Sequence, residues 1–268
     1  MGQSKIKVAI AGARGRMGQE AVKMVLQEEA FELVAAIDSK HDGLDLGPFV
    51  VGKEIGVLMH TSMKEVFETY QPDVLVDFTT PHSIWEHMSM ALAYGVRPVV
   101  GTTGLTPEQM EDLTARYKEA DLGAIIAPNF AIGAILCMKF ASMAAKYMPH
   151  VEIIELHHDK KLDAPSGTAL KTAELIAQTR AEVQQGHPEE EESLEGARGA
   201  LYQGFRIHSV RLPGMVAHQE VLFGATGQTL SIRHDSINRE SFMPGVNLSI
   251  KAVMNLDHLV YGLEHLLD

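Results

Sequence analysis

Residues 6–18 restrict the fold more than any other stretch. An apolar run, IKVAIA, breaks into Gly12-Ala13-Arg14-Gly15-Arg16-Met17-Gly18. A helical pattern follows, with Met17, Ala21, Met24 and Val25 on one face. Strand, glycine turn and helix in that order are the context in which a dinucleotide can be bound. Glycines let the backbone approach a pyrophosphate, which then lies on the helix N-terminus. The spacing is GxxGxxG rather than the commoner GxGxxG, and taken alone it also suits a tight turn in any α/β protein. A second apolar run, 31–37, ends at Asp38. An acid about twenty residues beyond the glycine turn is placed to hold an adenosine ribose hydroxyl. Asp38 favours NADH, whereas Lys40 and Arg16 are cations that could accept a 2′-phosphate, so NADPH and NADH both stay open.

The alternation continues. Strands are expected over 73–78, 98–100 and 123–127, with helices over 62–70, 81–94 and from Thr106, where Thr-Pro-Glu-Gln forms a capping box. Gly101-Thr102-Thr103 and Ala127-Pro128-Asn129-Phe130 fall at the carboxyl ends of two of these strands, the edge that carries ligands in open α/β sheets. The fold class is therefore α/β, a Rossmann-like doubly wound parallel sheet. After Phe130 the pattern changes. A long Ala- and Met-rich helix over 132–147 precedes three strand-like runs at 205–211, 219–223 and 229–233. These read as an antiparallel, second α+β domain. From Arg239 the chain reads as helix again and is expected to return to the first domain. The expected division is 1–129 with 238–268 for the dinucleotide and 130–237 for substrate and oligomerisation, with a hinge at the two crossings. The polar segment 184–199, with its Glu189–Glu192 run, reads as a lid or a solvated excursion.

Composition removes several classes. A net charge of −12 argues against a nucleic-acid or anionic-membrane binder. A single cysteine excludes an internal disulfide and suits a reducing cytoplasm. The opening residues lack the apolar core and cleavage site of a signal peptide, and no apolar run approaches a membrane span.

The chemistry concentrates in Glu152–Ala169, EIIELHHDKKLDAPSGTA. Residues 152–156 read as a strand, and Pro165-Ser166-Gly167-Thr168 opens a helix capped by Ser166 or Thr168. A helix N-terminus favours an anion, and the neighbouring histidines and lysines add proton carriers. The stretch thus describes a pocket for a carboxylate or phosphate with acid/base groups at its rim. Lys161 lies nearer the helix entry in sequence than Lys160, and Asp163 can cap or pair. His157, His158, Asp159 and Asp163 could ligate a metal, but two lysines in the same loop oppose a cation, so none is expected.

Eleven residue types over those eighteen positions, E-I-x-E-x-H-x-x-x-K-x-D-x-P-S-G-T-A, resemble the signature of the 4-hydroxy-tetrahydrodipicolinate reductase (dihydrodipicolinate reductase) family. GARGRMG, GTTG, PNF, RLPG with VAHQEV, and HDSINRESFMPGV extend the resemblance over essentially the whole chain. It implies a cytoplasmic, homotetrameric enzyme of lysine and diaminopimelate biosynthesis that uses NADPH or NADH on a small dicarboxylate. Residue by residue, it implies that Gly12, Ala13, Arg14, Gly15, Arg16 and Met17 form the pyrophosphate loop. It places Asp38 at the adenosine ribose, while Lys40 is a cofactor-binding candidate on its own charge alone. Gly101, Thr102, Thr103, Ala127, Pro128, Asn129 and Phe130 lie on the nicotinamide side. It assigns proton donation to His157 and Lys161, and substrate contacts to His158, Gly167 and Thr168. Asp38-Ser39-Lys40 replaces the acid–arginine pair of many members, so a preference for NADP does not transfer. The implied reaction is hydride addition to a conjugated cyclic imine, followed by protonation of the electron-rich product, with domain closure excluding water. Two rivals remain at this stage. One is another two-domain nicotinamide dehydrogenase, such as an aspartate-semialdehyde type that needs a nucleophilic cysteine. The other is a catalytically silent dinucleotide sensor.

Overall fold

The computed structural model describes residues 4–267. The chain divides into two compact units, one running to Phe130 and resuming at Phe242, the other spanning Ala131–Ser241.

The first unit is a βα alternation: β1 (Ile6–Ala11), α1 (Arg16–Gln27), β2 (Phe31–Ile37), α2 (Gly47–Val50), β3 (Met59–His60), α3 (Met63–Tyr70), β4 (Val74–Asp77), α4 (Ile84–Ala93), β5 (Arg97–Val100), α5 (Pro107–Glu119) and β6 (Ala124–Ile126). Buried strands with apolar residues on both faces favour parallel pairing under helices. Accordingly Ala9 and Ala11 of β1 pack with Val66 and Phe67 of α3, while Val8 and Ile10 alternate to the opposite face, all four strand residues having no exposure. The Thr106 capping box is formed in full, with Pro107 at the first helical position. Ser62 caps α3 by accepting the Glu65 N–H. Tyr117 of α5 is fully buried, and its hydroxyl donates to the Met88 carbonyl at 2.8 Å.

The second unit contains α6 (Ile132–Ala145), β7 (His150–His157), α7 (Gly167–Thr179), β8 (Ala200–Tyr202), β9 (Phe205–Arg211), β10 (Ala217–Ala225) and β11 (Gln228–Ser236). Ala141 and Ala145 of α6 and Ala169 and Ala173 of α7 are small residues in one core with Val151, Ile153, Val221 and Phe223. Small side chains bring the helices close enough for Thr179 to donate to the Ser142 carbonyl at 2.9 Å. The strand order is β11-β10-β7-β9-β8.

This order corrects the expectation of an antiparallel region. The sheet is mixed, because β7 lies between β9 and β10 and runs parallel to β9. The connection from β9 to β10 therefore crosses the end of β7, where the Leu212 N–H donates to the His157 carbonyl at 3.1 Å. The tail is the second correction. After a 3₁₀ turn (Arg239–Phe242) and α8 (Met243–Val253), the chain forms β12 (Leu259–Tyr261) rather than more helix. β12 pairs with β6, covering what would be an open strand edge. The parallel sheet is thus seven-stranded, in the order β12-β6-β5-β4-β1-β2-β3. β1 lies between β4 and β2, so the carboxyl ends of β1 and β4 frame the switch point where such sheets bind ligands.

Candidate active site

Strand β7 buries Val151, Ile153 and Glu155 along one face, so a carboxylate stands where the alternation calls for an apolar side chain. Glu155 has no exposure and is compensated by several donors. The Arg211 guanidinium reaches both oxygens at 2.7 and 2.8 Å, a bidentate pair. His157 Nδ1 lies 2.5 Å from Oε2, and the Ser166 N–H donates to Oε1 at 3.2 Å. Burial alone would raise the Glu155 carboxyl, but hydrogen bonds from His157, Arg211 and Ser209 outweigh it and bring the pKa to about 2. A carboxylate at Nδ1 fixes the proton on that nitrogen and leaves Nε2 to exchange a proton with a ligand. Glu155 and Arg211 were not among the sequence candidates. The readable signal was a charge on the apolar face of the strand, two residues before His157.

The turn after β7 carries the other groups. The Lys161 N–H donates to the His158 carbonyl at 3.2 Å, and Lys161 Nζ lies 2.7 and 2.8 Å from the two Asp163 oxygens. The Lys161 ammonium holds the Asp163 carboxyl below its ordinary range. Arg211 also donates to the Asp163 carbonyl at 2.8 Å, so one guanidinium ties the His157 support to the Lys161 turn. His158 is exposed and His157 half-buried. Ser166, not Thr168, supplies the α7 cap, accepting the Ala169 N–H at 3.2 Å. Gly167 is exposed, and a Cβ there would meet nothing within 4 Å, so the helix entry is open to a ligand. Position and charge thus suit a carboxylate at Gly167 and Thr168.

In the first unit, the glycine turn has the shape a pyrophosphate needs. Gly12 has φ +74°, and a Cβ there would lie 2.7 Å from the Phe78 carbonyl oxygen. A Cβ on Gly18 would lie 2.1 Å from the Gly12 oxygen, so α1 packs against the turn at a distance only glycine allows. Gly15 caps α1 without a side-chain acceptor, which leaves the helix entry free of an internal anion. These residues fit a dinucleotide. Ala13 is fully buried and can contribute only backbone, while Arg16 is exposed and Met17 half-buried. At the end of β2, Asp38 is met by Arg14 at 3.4 Å, and the Arg14 guanidinium lies 5.5 Å from the Phe49 ring centroid. Lys40 is exposed. The cation beside Asp38 is therefore Arg14 rather than Lys40 or Arg16. Thr102 donates to the Thr79 carbonyl at 3.3 Å, and Gly101 is pressed against the Phe78 ring, which stands edge-on to Phe130. Ala127 and Phe130 are buried and form the wall of that edge, whereas Thr103 and Pro128 are exposed and Asn129 is half-buried.

The acidic segment 184–199 is anchored at the far end of β7. The Gln185 side chain exchanges two hydrogen bonds with the Val151 backbone, and Arg198 bridges Glu152 at 2.6 Å and Glu190 at 2.9 Å. Five residues of strand, roughly 17 Å, separate Glu152 from His157. This placement does not suit a lid over His157. Arg198→Ala is expected to leave turnover unchanged and to speed proteolytic nicking between residues 186 and 197. A comparable loss of turnover would return the segment to the site.

Cys137 is buried, and burial pushes its thiol up, so it is no nucleophile. Among the described residues no group of three His, Cys, Asp or Glu side chains could hold a metal ion. Nor is any helix among them long and apolar enough to cross a membrane.

The comparisons agree over the whole chain. The family model described as "Dihydrodipicolinate reductase, N-terminus" matches residues 6–130, and the corresponding C-terminus model matches residues 133–267. The 4-hydroxy-tetrahydrodipicolinate reductase of Geobacillus kaustophilus is 60% identical, over 98% of this chain and 99% of its own. That of Shouchella clausii is 61% identical with the same coverage. A dipicolinate-bound dihydrodipicolinate reductase from Paenisporosarcina sp. TG-14 superposes with a TM-score of 0.89 at 54% identity, covering 98% of this chain and 100% of that one.

Proposed function

The chain belongs to the dihydrodipicolinate reductase family, and from that premise we propose that His157 and Lys161 are its proton-donating pair, with His158, Gly167 and Thr168 holding the substrate. It is an oxidoreductase that reduces 4-hydroxy-tetrahydrodipicolinate to tetrahydrodipicolinate with NAD(P)H, in lysine and diaminopimelate biosynthesis. When bound, the dinucleotide supplies a hydride to the substrate ring, whose hydroxyl has left as water. The protein's part is to hold the ring and return one proton to it. Glycine-turn residues 12–17 and Asp38 are the proposed holders of the pyrophosphate and adenosine ribose. Lys40, exposed just beyond Asp38, is proposed as a further contact to the cofactor. Residues 101–103 and 127–130 border the proposed nicotinamide position.

The observation that carries the catalytic assignment is the buried Glu155. It fixes His157 through Nδ1 and anchors the Ser166 entry of α7. A charge buried and compensated at the junction of the proton donors and an anion-binding helix end suits acid catalysis on a dicarboxylate. Lys161, held by its ion pair with Asp163, can pass a proton. The test is calorimetric titration with dipicolinate, the molecule in the solved relative. Thr168→Val and His158→Gln should each weaken it about tenfold, the scale of one charge-assisted hydrogen bond. Unchanged affinity in both variants would move the substrate site elsewhere.

A homotetramer in the cytoplasm completes the proposal. The β7–β10 face opposite α6 and α7 carries Ile154 and Leu156, half-buried, and Leu222, exposed, which supports self-association through that sheet. Light scattering should give the mass of four chains, and a monomer would overturn it.

A further inference from the structure

The cluster that the mechanism leaves unused lies at the end of β4. Asp77 has no exposure, yet it carries a carboxylate at the switch point of the parallel sheet. Its Oδ1 accepts the Thr79 N–H at 2.8 Å and the Thr79 hydroxyl at 2.6 Å. Oδ2 lies 2.6 Å from His87 Nδ1, on α4. The Thr79 hydroxyl is also 3.0 Å from Ser83 Oγ. A buried carboxylate without compensation is expensive, and an apolar residue would fill the strand end more cheaply. Its cost is therefore spent on one local shape, the Asp77–Thr80 turn.

That turn is bracketed on both sides by the segments proposed to hold the cofactor. The Phe78 N–H donates to the Ala11 carbonyl at 3.0 Å, and the Phe78 carbonyl lies under Gly12. On the other side Thr102 donates to the Thr79 carbonyl, and the Gly101 N–H donates to the Asp77 carbonyl at 2.9 Å. A dinucleotide passing from the glycine turn to residues 101–103 crosses Thr79 and Thr80.

We infer that Asp77 and His87 are positioning residues for the nicotinamide half of the cofactor: they act through Thr79 and set the height of the turn over which that half lies. This rests on the cofactor reading above and adds residues to it. His87 holds Oδ2, Oδ2 holds the carboxylate plane, and Oδ1 holds both donors of Thr79. The adenine half lies on the far side of the glycine turn, by Asp38, and does not depend on this chain of bonds.

The test needs no substrate, so it stays separate from whether the reductase reading holds. Affinity for NADH, read by nicotinamide fluorescence, is compared with affinity for ADP as the adenine-half probe. His87→Leu should weaken NADH about tenfold or more, the scale of a displaced contact in a preorganised site. ADP should stay within about twofold of wild type. His87→Gln, which keeps an N–H donor, should recover most of the loss. Thr79→Val keeps the shape and removes one donor to Asp77, and it decides the matter if His87→Leu does not fold. It should weaken NADH by about threefold or more, with ADP unchanged. NADH affinity unchanged in both variants, or equal losses of NADH and ADP, would overturn the inference and leave the cluster as a staple of α4.

Discussion

Lys161→Met lowers kcat by about a hundredfold or more while the melting temperature holds. Proton transfer by a positioned side chain is worth roughly 10²–10⁴ in rate, and methionine keeps the aliphatic length without the proton. Stability is spared because the partner, Asp163, has a side chain 59% exposed and is solvated once the ammonium is gone. His157→Gln should act on the same step, and the double variant should cost less than the product of the two if, as proposed, the residues serve one protonation. Steady-state rates with thermal melts check this. Retention of more than about half the wild-type kcat in the double variant would remove both residues from the chemistry.

Glu155→Ala is expected to be the most damaging single change to stability. It strands the Arg211 guanidinium, the His157 Nδ1–H and the Ser166 N–H together. Breaking a buried pair by removing one partner typically costs about 3–5 kcal/mol. For a chain of this size each kcal/mol lowers the melting temperature by roughly 2–4 °C. Activity should fall as well, because His157 loses its orienting acceptor. The wild type should show the same dependence through pH. The Glu155 pKa lies at about 2 in the fold against an ordinary 4.5. A depressed carboxyl stabilises the fold fully above its unfolded value, and that stabilisation is lost as pH falls from about 4.5 towards 2. Urea midpoints should therefore drop across that window in the wild type, and Glu155→Gln should flatten the drop. A wild-type midpoint independent of pH there would contradict the burial-and-pairing account of Glu155.

Features set by neighbours in sequence were legible without the structure. The glycine turn, the βα alternation, the Thr106 capping box and the contiguous run from His157 to Thr168 are all local patterns. What escaped was set by distant pairing. β12 is three residues, Leu259–Tyr261, within an apolar tail, and only the free edge of β6 makes it a strand. The runs over 205–211 and 219–223 read as sequential antiparallel strands, but β7 occupies the place between β9 and β10, which no local signal records. Glu155 and Arg211 escaped for the same reason, because 56 residues separate the carboxylate from the guanidinium that makes its burial tolerable. Arg14 was read within the glycine loop, yet its pairing with Asp38 depends on how the β1 turn meets the end of β2.

The central claim is tested most directly by nicotinamide absorbance in a coupled assay. Purified synthase generates the unstable substrate from pyruvate and aspartate semialdehyde, and NADPH and NADH are run in parallel. The account predicts oxidation of cofactor that requires the synthase, with the NADPH-to-NADH ratio reporting what Arg14, Asp38 and Lys40 accept. Cofactor that binds but is never oxidised, with active synthase present, would contradict it.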